Sequence, residues 1–488
     1  MTFLPGHIKE QREMFVSGHT GTSMFHVSVL VTIVFMLSSQ RQLLPFLPPC
    51  LRPPELPIPG LQLAASLAAD AFFVIIPSLL TLTVLKDHLT ITFIIIAIIL
   101  MATATLAALN TSGPSLLHGS SWPLSPPSIT DSVVTFRAIL MLLTCTAILA
   151  VDFDIFPRNY AKTEYYGTSL MDLGVGMFVI ANTASQFGSA RVKTLAERKA
   201  HTSIQRFSRK LLPLLALAIG RLLLTKITNY QEHSSEYGVH WNFFFTLAAV
   251  LSLARLFPSP IRHHPTQLPP GFFRSLTPPV VLLIGYQAWL TCMGGSEWVL
   301  SDDREATSLI SLNKEGICST VGYLCLYLIS LHFGTFLNSS YSAVRSTHGP
   351  IFAIINQLLP LDLSLWVVAV AAHQYVEQTS RRSCNLAFVL WSLAQGVHAI
   401  LIGELTCRSP SLVFRAIARF MLPTFLMANV GTGLVNITMD TLSQPPLTAI
   451  AINAVYLCVL CSGVTFAHVL FPARTAQPEH NALKHKTS

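Results

Sequence analysis

Charge is what this sequence most lacks. Of its 488 residues, 11% are Asp, Glu, Lys or Arg, where soluble globular domains carry about 25%. Set against 51% hydrophobic residues, that deficit excludes a soluble enzyme and a disordered chain. The nine cysteines are scattered, and Cys145, Cys325, Cys458 and Cys461 fall inside apolar runs, so no disulfide framework is expected. Cys458-Val-Leu-Cys461 has metal-like spacing without a partner pair, and no metal site is expected. The P-loop, the dinucleotide fingerprint, the Gly-x-Ser-x-Gly elbow and the His-x4-Asp acyltransferase motif are all missing. No internal repeat is visible, which disfavours a repeat-built transporter.

What is there is long apolar sequence, and the fold class it implies is all-α, a polytopic transmembrane helical bundle. Apolar runs lie at 24–39, 61–85, 88–109, 133–151, 169–186, 211–226, 241–257, 278–294, 317–337, 359–376, 386–404, 414–436 and 446–470. These predict about thirteen spans, two of them short enough to be re-entrant. Pro77 and Pro423 sit inside runs and predict kinks. The chain divides into a polar segment at 1–23, a membrane domain over 24–470 and a tail at 471–488.

Loop charge supplies an orientation. The net charge of +8 fits basic cytosolic loops, and no aromatic-basic patch points to nucleic acid. Residues 187–210 carry Arg191, Lys193, Arg198, Lys199, Arg206, Arg209 and Lys210 against Glu197 alone. Placing that loop in the cytosol puts the N-terminus in the lumen and the C-terminus in the cytosol. The other loops on the cytosolic side are Pro- and Ser-rich connectors. The loops at 152–168, 227–240, 295–316, 377–385 and 437–445 hold nearly all the dense polar clusters, so chemistry is expected on that face.

The densest cluster runs from Asp152 to Asp172. It carries Arg158, Lys162 and Glu164, with Pro157 to stop a helix running through. Carboxylates at a membrane edge are partly desolvated, which moves them toward the working range of a general base. A folded-back loop would bring Lys162 toward Asp152, where a cation could stabilise an oxyanion. A structural salt-bridge loop is the alternative. A second cluster holds Glu232, His240 and Asn242 before an aromatic run. It reads as headgroup binding or as an interfacial aromatic belt. Arg381–Arg382, followed by Asn385, suits phosphate recognition or headgroup anchoring. Asn436 lies seven residues after Asn429, a spacing that places both on one helix face.

These clusters resemble one family, the PIG-W-type inositol acyltransferases of glycosylphosphatidylinositol (GPI) anchor biosynthesis, whose fungal members are named for GPI-anchored wall transfer. The likeness runs through Ala147–Phe153, Phe156-Pro157-Arg158, Ala161–Glu164, Gly167-Thr168 and Met171–Gly176. It continues in Tyr230–His233, Glu236–Phe245, Ser380–Arg382 with Asn385, and Gly433–Asn436. Asn313-Lys314-Glu315-Gly316 departs from the family's usual Asn-Arg-Glu-Gly.

The resemblance implies a multi-pass endoplasmic-reticulum membrane enzyme. It would move a fatty acyl group, typically palmitoyl, from acyl-CoA to the inositol 2-hydroxyl of glucosaminyl-phosphatidylinositol. It also implies that Asp152 and Lys162, ten positions apart, are catalytic. Acyl-CoA is then a co-substrate and no bound cofactor is expected. Arg158, Glu164, Asp172, Glu232, His240, Asn242, Arg381, Arg382, Asn385 and Asn436 are the substrate-binding candidates. No Ser or Cys pairs with a His in any cluster, so transfer is expected to be direct, without an acyl-enzyme. The rival from another class is an ER lipid or solute transporter, or flippase. The final Lys484-His-Lys486-Thr-Ser488 resembles a dilysine retrieval signal.

Overall fold

The computed structural model describes residues 18–44, 59–111, 129–184, 203–228, 236–257, 268, 271–406 and 409–471. The described residues are mostly helical, with no strand beyond two isolated bridges from Gly21 and Thr22 to Thr168. Most of the two terminal segments, including the retrieval-like motif, lies outside them.

Every apolar run in the sequence lies on a helix. In chain order these are α1 Met24–Leu43, α2 Gly60–Leu82, α3 Lys86–Leu109, α4 Thr130–Ala150, α5 Leu170–Ala184, α6 Ser203–Thr228 and α7 Phe243–Leu256. They continue as α8 Phe272–Cys292, α9 Lys314–His348, α10 Pro350–Val376, α11 Leu386–Thr406, α12 Leu412–Arg419, α13 Met421–Thr438 and α14 Pro446–Leu470. Eight of them are long and apolar enough to cross a bilayer, or nine if the bent pair α12–α13 is one span. α5 and α7 are shorter apolar helices.

Both proline expectations meet a distortion. Pro77 follows a π-helical turn at Ala71–Ile75. Pro423 lies just past a 91° bend between α12 and α13. A proline removes a backbone donor and pushes on the preceding turn, so a wide turn or a break beside it is the expected response.

The core runs between α1, α4, α5, α9 and α11. Trp391, Tyr323, Phe388, Phe136 and Phe35 are all at most 1% exposed. Gly322 of α9 is required there, because a Cβ would run into the backbone oxygen of Cys384.

The polar groups gather at two opposite ends of the helices. At one end Arg41 pairs with Asp70 at 3.2 Å, and Glu404 collects Arg345, Tyr341 and Ser132 at 2.8, 3.0 and 2.7 Å. The other end brings together the segments 18–23, 151–169, 236–242, 301–316 and 377–385 with the end of α13. The loops predicted to share one face therefore do meet.

Candidate active site

The site is organised by the loop between α4 and α5. α4 ends at Ala150, and the carbonyls of Ala147, Leu149 and Ala150 accept from the backbone N–H groups of Val151, Asp152 and Phe153. Arg158 braces the turn that follows. Its guanidinium donates to the carbonyls of Val151 at 3.0 Å, Phe153 at 3.1 Å and Phe156 at 2.8 Å. A cation is at home on a helix C-terminus, where the aligned peptide dipoles are negative. Burial pulls the Arg158 pKa down to about 10, against the opposing charges of Asp154 and Asp152. Phe153, Phe156 and Tyr160 are buried anchors, and Tyr160 reaches His26 of α1 at 2.9 Å. Arg158 thus holds the turn that carries Asp152 through hydrogen bonds to that turn's backbone.

Asp152 is half-buried on that turn. The Asn436 amide of α13 donates to its Oδ2 at 2.8 Å, which fixes the plane of the carboxylate. Lys162, ten residues on, is 39% exposed and donates to Glu236 at 2.6 Å. The two candidate catalytic groups thus each engage a third residue, Asp152 on α13 and Lys162 on the 236–242 loop.

Beyond Lys162 the chain turns inward. Ser169 caps α5, its hydroxyl accepting from the backbone N–H of Asp172 at 3.1 Å. A Ser with Asp three residues on is an N-terminal capping pattern. The Asp172 carboxylate is fully buried. It accepts from the Thr163 N–H and hydroxyl at 3.1 and 2.7 Å, the Ser169 hydroxyl at 2.8 Å and Arg381 Nε at 2.7 Å. A second nitrogen of Arg381 lies 3.9 Å from Glu236. Burial alone would raise the Glu236 pKa, but Lys162, Arg381 and Arg221 reverse it and bring it down to about 2. Glu236 therefore stays ionised through the physiological range and always offers Lys162 a negative partner.

Arg382 turns the other way. It donates to Glu315 at 3.2 Å and to the Glu164 carbonyl at 3.1 Å, and it lies 5.2 Å from the centre of the Tyr165 ring. Arg304 completes the group with a bidentate pair to Glu315 at 2.6 and 3.0 Å. The planar guanidinium fork suits this geometry, which a lysine could not reproduce. Both arginines proposed for phosphate are thus inside the protein on its own carboxylates.

The remaining candidates divide by role. Asn242 caps α7, accepting from the N–H of Phe244 and Phe245 at 3.0 and 3.3 Å. Asn385 does the same ahead of α11, accepting from Ser380 and Phe388 at 3.2 and 3.1 Å. His240 enters through its backbone N–H, which donates to Asn313 Oδ1 at 2.8 Å. Gly238 makes that approach possible: its φ is +115°, and a Cβ there would strike Asn313. Glu232 lies outside the described residues. Glu164 is 29% exposed and lines a cavity of about 740 Å³ with His19, His373 and Gln378.

Against known proteins, the GWT1 family model matches residues 8–467. The chain belongs to the GWT1 family. It is 36% identical to GPI-anchored wall transfer protein 1 of Gibberella zeae, covering 71% of this chain and 74% of that one. It is 30% identical to the glucosaminyl-phosphatidylinositol-acyltransferase PIGW of Bos taurus, over 94% of this chain and 98% of that one. An uncharacterized protein of Arabidopsis thaliana is 39% identical over 83% of this chain and 87% of its own length.

Within this GWT1-family chain, Glu236 and Glu315 are the groups that reading the sequence did not single out as site residues. Each stands in a motif that carried the resemblance or a departure from it, Glu236-Tyr-Gly238 and Asn313-Lys314-Glu315-Gly316. Charge counting along each loop was the available signal. The 377–385 loop carries Arg381 and Arg382 against Glu377 alone, so these cations required carboxylates from elsewhere.

Proposed function

We propose that this protein is an acyltransferase that esterifies the inositol ring of glucosaminyl-phosphatidylinositol in GPI-anchor biosynthesis. The observation that carries the reading is family membership across nearly the whole chain, with a glucosaminyl-phosphatidylinositol-acyltransferase matched over 98% of its length. Acyl-CoA, typically palmitoyl-CoA, is the proposed donor, and the inositol 2-hydroxyl the acceptor atom. The enzyme sits in the endoplasmic-reticulum membrane with thirteen spans, the bent pair α12–α13 counted as one. Its N-terminus and the Asp152 end face the lumen.

In the proposed mechanism Asp152, oriented by Asn436, takes the proton of the inositol hydroxyl as its oxygen attacks the thioester carbonyl. The Lys162 ammonium stabilises the oxyanion of the tetrahedral intermediate. The C–S bond then breaks, and CoA leaves as the thiol with the proton that Asp152 carried. Glu236, which also lies near Arg381, holds Lys162 in place, so little ordering remains when substrate arrives. The hydrocarbon of the acyl chain favours a site within the bilayer, each buried CH₂ contributing about 0.8 kcal/mol.

The test is acyl transfer in membranes from cells lacking the endogenous enzyme, with labelled acyl-CoA and glucosaminyl-phosphatidylinositol supplied. Wild type should form product. Asp152→Asn and Lys162→Ala, at matched expression, should each lose roughly 10²–10⁴-fold in rate. Full activity in Asp152→Asn would remove the proposed base. No product from wild type would return the transporter reading.

A further inference from the structure

The cavity beside the catalytic loop is amphiphilic. One wall is the first turn of α1 and the last turns of α10, with Phe25 77% and Val370 38% exposed. The other is polar, built from His19, Glu164, Gln374 and Gln378 with His373. Its volume of about 740 Å³ lies within the range for a small-molecule site. Among the described lining residues Glu164 is the single carboxylate, and there is no Lys or Arg.

Glu164 is held so that its carboxylate stays available. Its backbone is fixed at both ends: the N–H donates to the His19 carbonyl at 3.0 Å, and the carbonyl accepts from Arg382 at 3.1 Å. The carboxylate accepts no hydrogen bond from a described residue. Its one ionic neighbour among the described residues is Arg382, at a loose 3.9 Å. Arg382 has a closer carboxylate in Glu315, at 3.2 Å.

His373 adds a donor. The Thr379 N–H donates to its Nδ1 at 3.0 Å, so the proton of the neutral ring lies on Nε2. Glu164 follows Lys162 by two residues, which keeps their Cα atoms within about 7 Å.

We propose that this cavity seats the glucosaminyl headgroup of the acceptor and that Glu164 reads its free ammonium. The inference rests on the function proposed above and assigns the residue that sets acceptor specificity. A carboxylate with unused acceptor capacity at a cavity wall favours a primary ammonium and disfavours an amide, which brings no charge and adds bulk. His373 Nε2–H serves the sugar or inositol hydroxyls. The apolar wall between α1 and α10 accepts the glyceride portion from the bilayer.

The experiment measures kcat and KM for two acceptors, glucosaminyl-phosphatidylinositol and its N-acetyl counterpart, with wild type and Glu164→Gln in membranes. Wild type should prefer the free amine. Glu164→Gln should raise KM for the amino acceptor about 10- to 100-fold, the weight of one charge-assisted hydrogen bond, and narrow the preference between the two acceptors. A variant that is merely destabilised loses turnover on both acceptors alike and keeps the wild-type ratio. An unchanged ratio in Glu164→Gln, or no preference in wild type, overturns the assignment of Glu164. Absence of acylated product from wild type with either acceptor overturns the function on which it rests.

Discussion

Replacing Asp172 with asparagine separates architecture from chemistry at this site. Asp172 is fully buried and accepts from four donors at once: a backbone N–H, two hydroxyls and the Arg381 guanidinium. An asparagine of the same shape offers one oxygen where the carboxylate offered two. Its NH2 must then face a donor. Arg381, only 3% exposed, would keep Glu236 at 3.9 Å as its nearest recorded carboxylate. Breaking a buried pair from one side costs about 3–5 kcal/mol.

At the unfolding entropy typical of folded chains, spread over 488 residues, that cost corresponds to a fall of roughly 3–5 °C in Tm. The assay is thermal unfolding of purified protein in detergent, run beside Asp152→Asn. Asp172→Asn should lose stability, and its residual turnover should track the folded fraction. Asp152→Asn should keep its Tm and lose turnover. If Asp172→Asn unfolds at the wild-type temperature yet transfers no acyl group, Asp172 is part of the chemistry and the structural assignment fails.

Other outcomes follow from the same contacts. Glu315→Gln removes the shared carboxylate of Arg304 and Arg382 and should cost about 3–5 kcal/mol, visible as a lower Tm in detergent. Asn242→Ala removes the cap of α7 and should cost about 1–2 kcal/mol in the same measurement. Gly238→Ala forces a Cβ into Asn313 at a φ of +115°, and protease should cut the 236–242 loop faster than in wild type.

The pH dependence has a definite sign. Glu236 falls from an ordinary 4.5 to about 2 on folding, so its stabilisation is complete above about pH 4.5 and is lost as pH drops toward 2. Glu236→Gln should therefore flatten the acid limb of the stability–pH curve in that window, and an unchanged limb would contradict the Lys162–Glu236 pairing.

Much of the fold was legible because apolar run length is a local property. Each run from Met24 to Leu470 became helix, and the polar loops assigned to one face came together. The Ser169–Asp172 cap was also readable, since a capping pattern spans one turn. Partnership was not local. The partners of Arg158, Arg381 and Arg382 were not legible, because a guanidinium looks the same in sequence whether it faces substrate or protein. What distinguishes them is the set of carbonyls at the end of α4 and the carboxylates 67 to 209 residues away in the chain. Asn242 and Asn385 are alike in this, since an asparagine that caps a helix and one that binds a headgroup have the same sequence appearance.

The right-angle break before α13 gives the molecule a ruler. The eighteen residues of α13 extend about 27 Å, close to the roughly 30 Å of a hydrocarbon core. One end of the ruler is the elbow at Phe420, where Arg415 and Arg419 lie exposed on α12. The other end is Asn436, holding the Asp152 carboxylate. Were α12 and its arginines to rest at one membrane surface, helix length would set how far the Asp152 carboxylate lies from it, and bilayer thickness would tune its exposure.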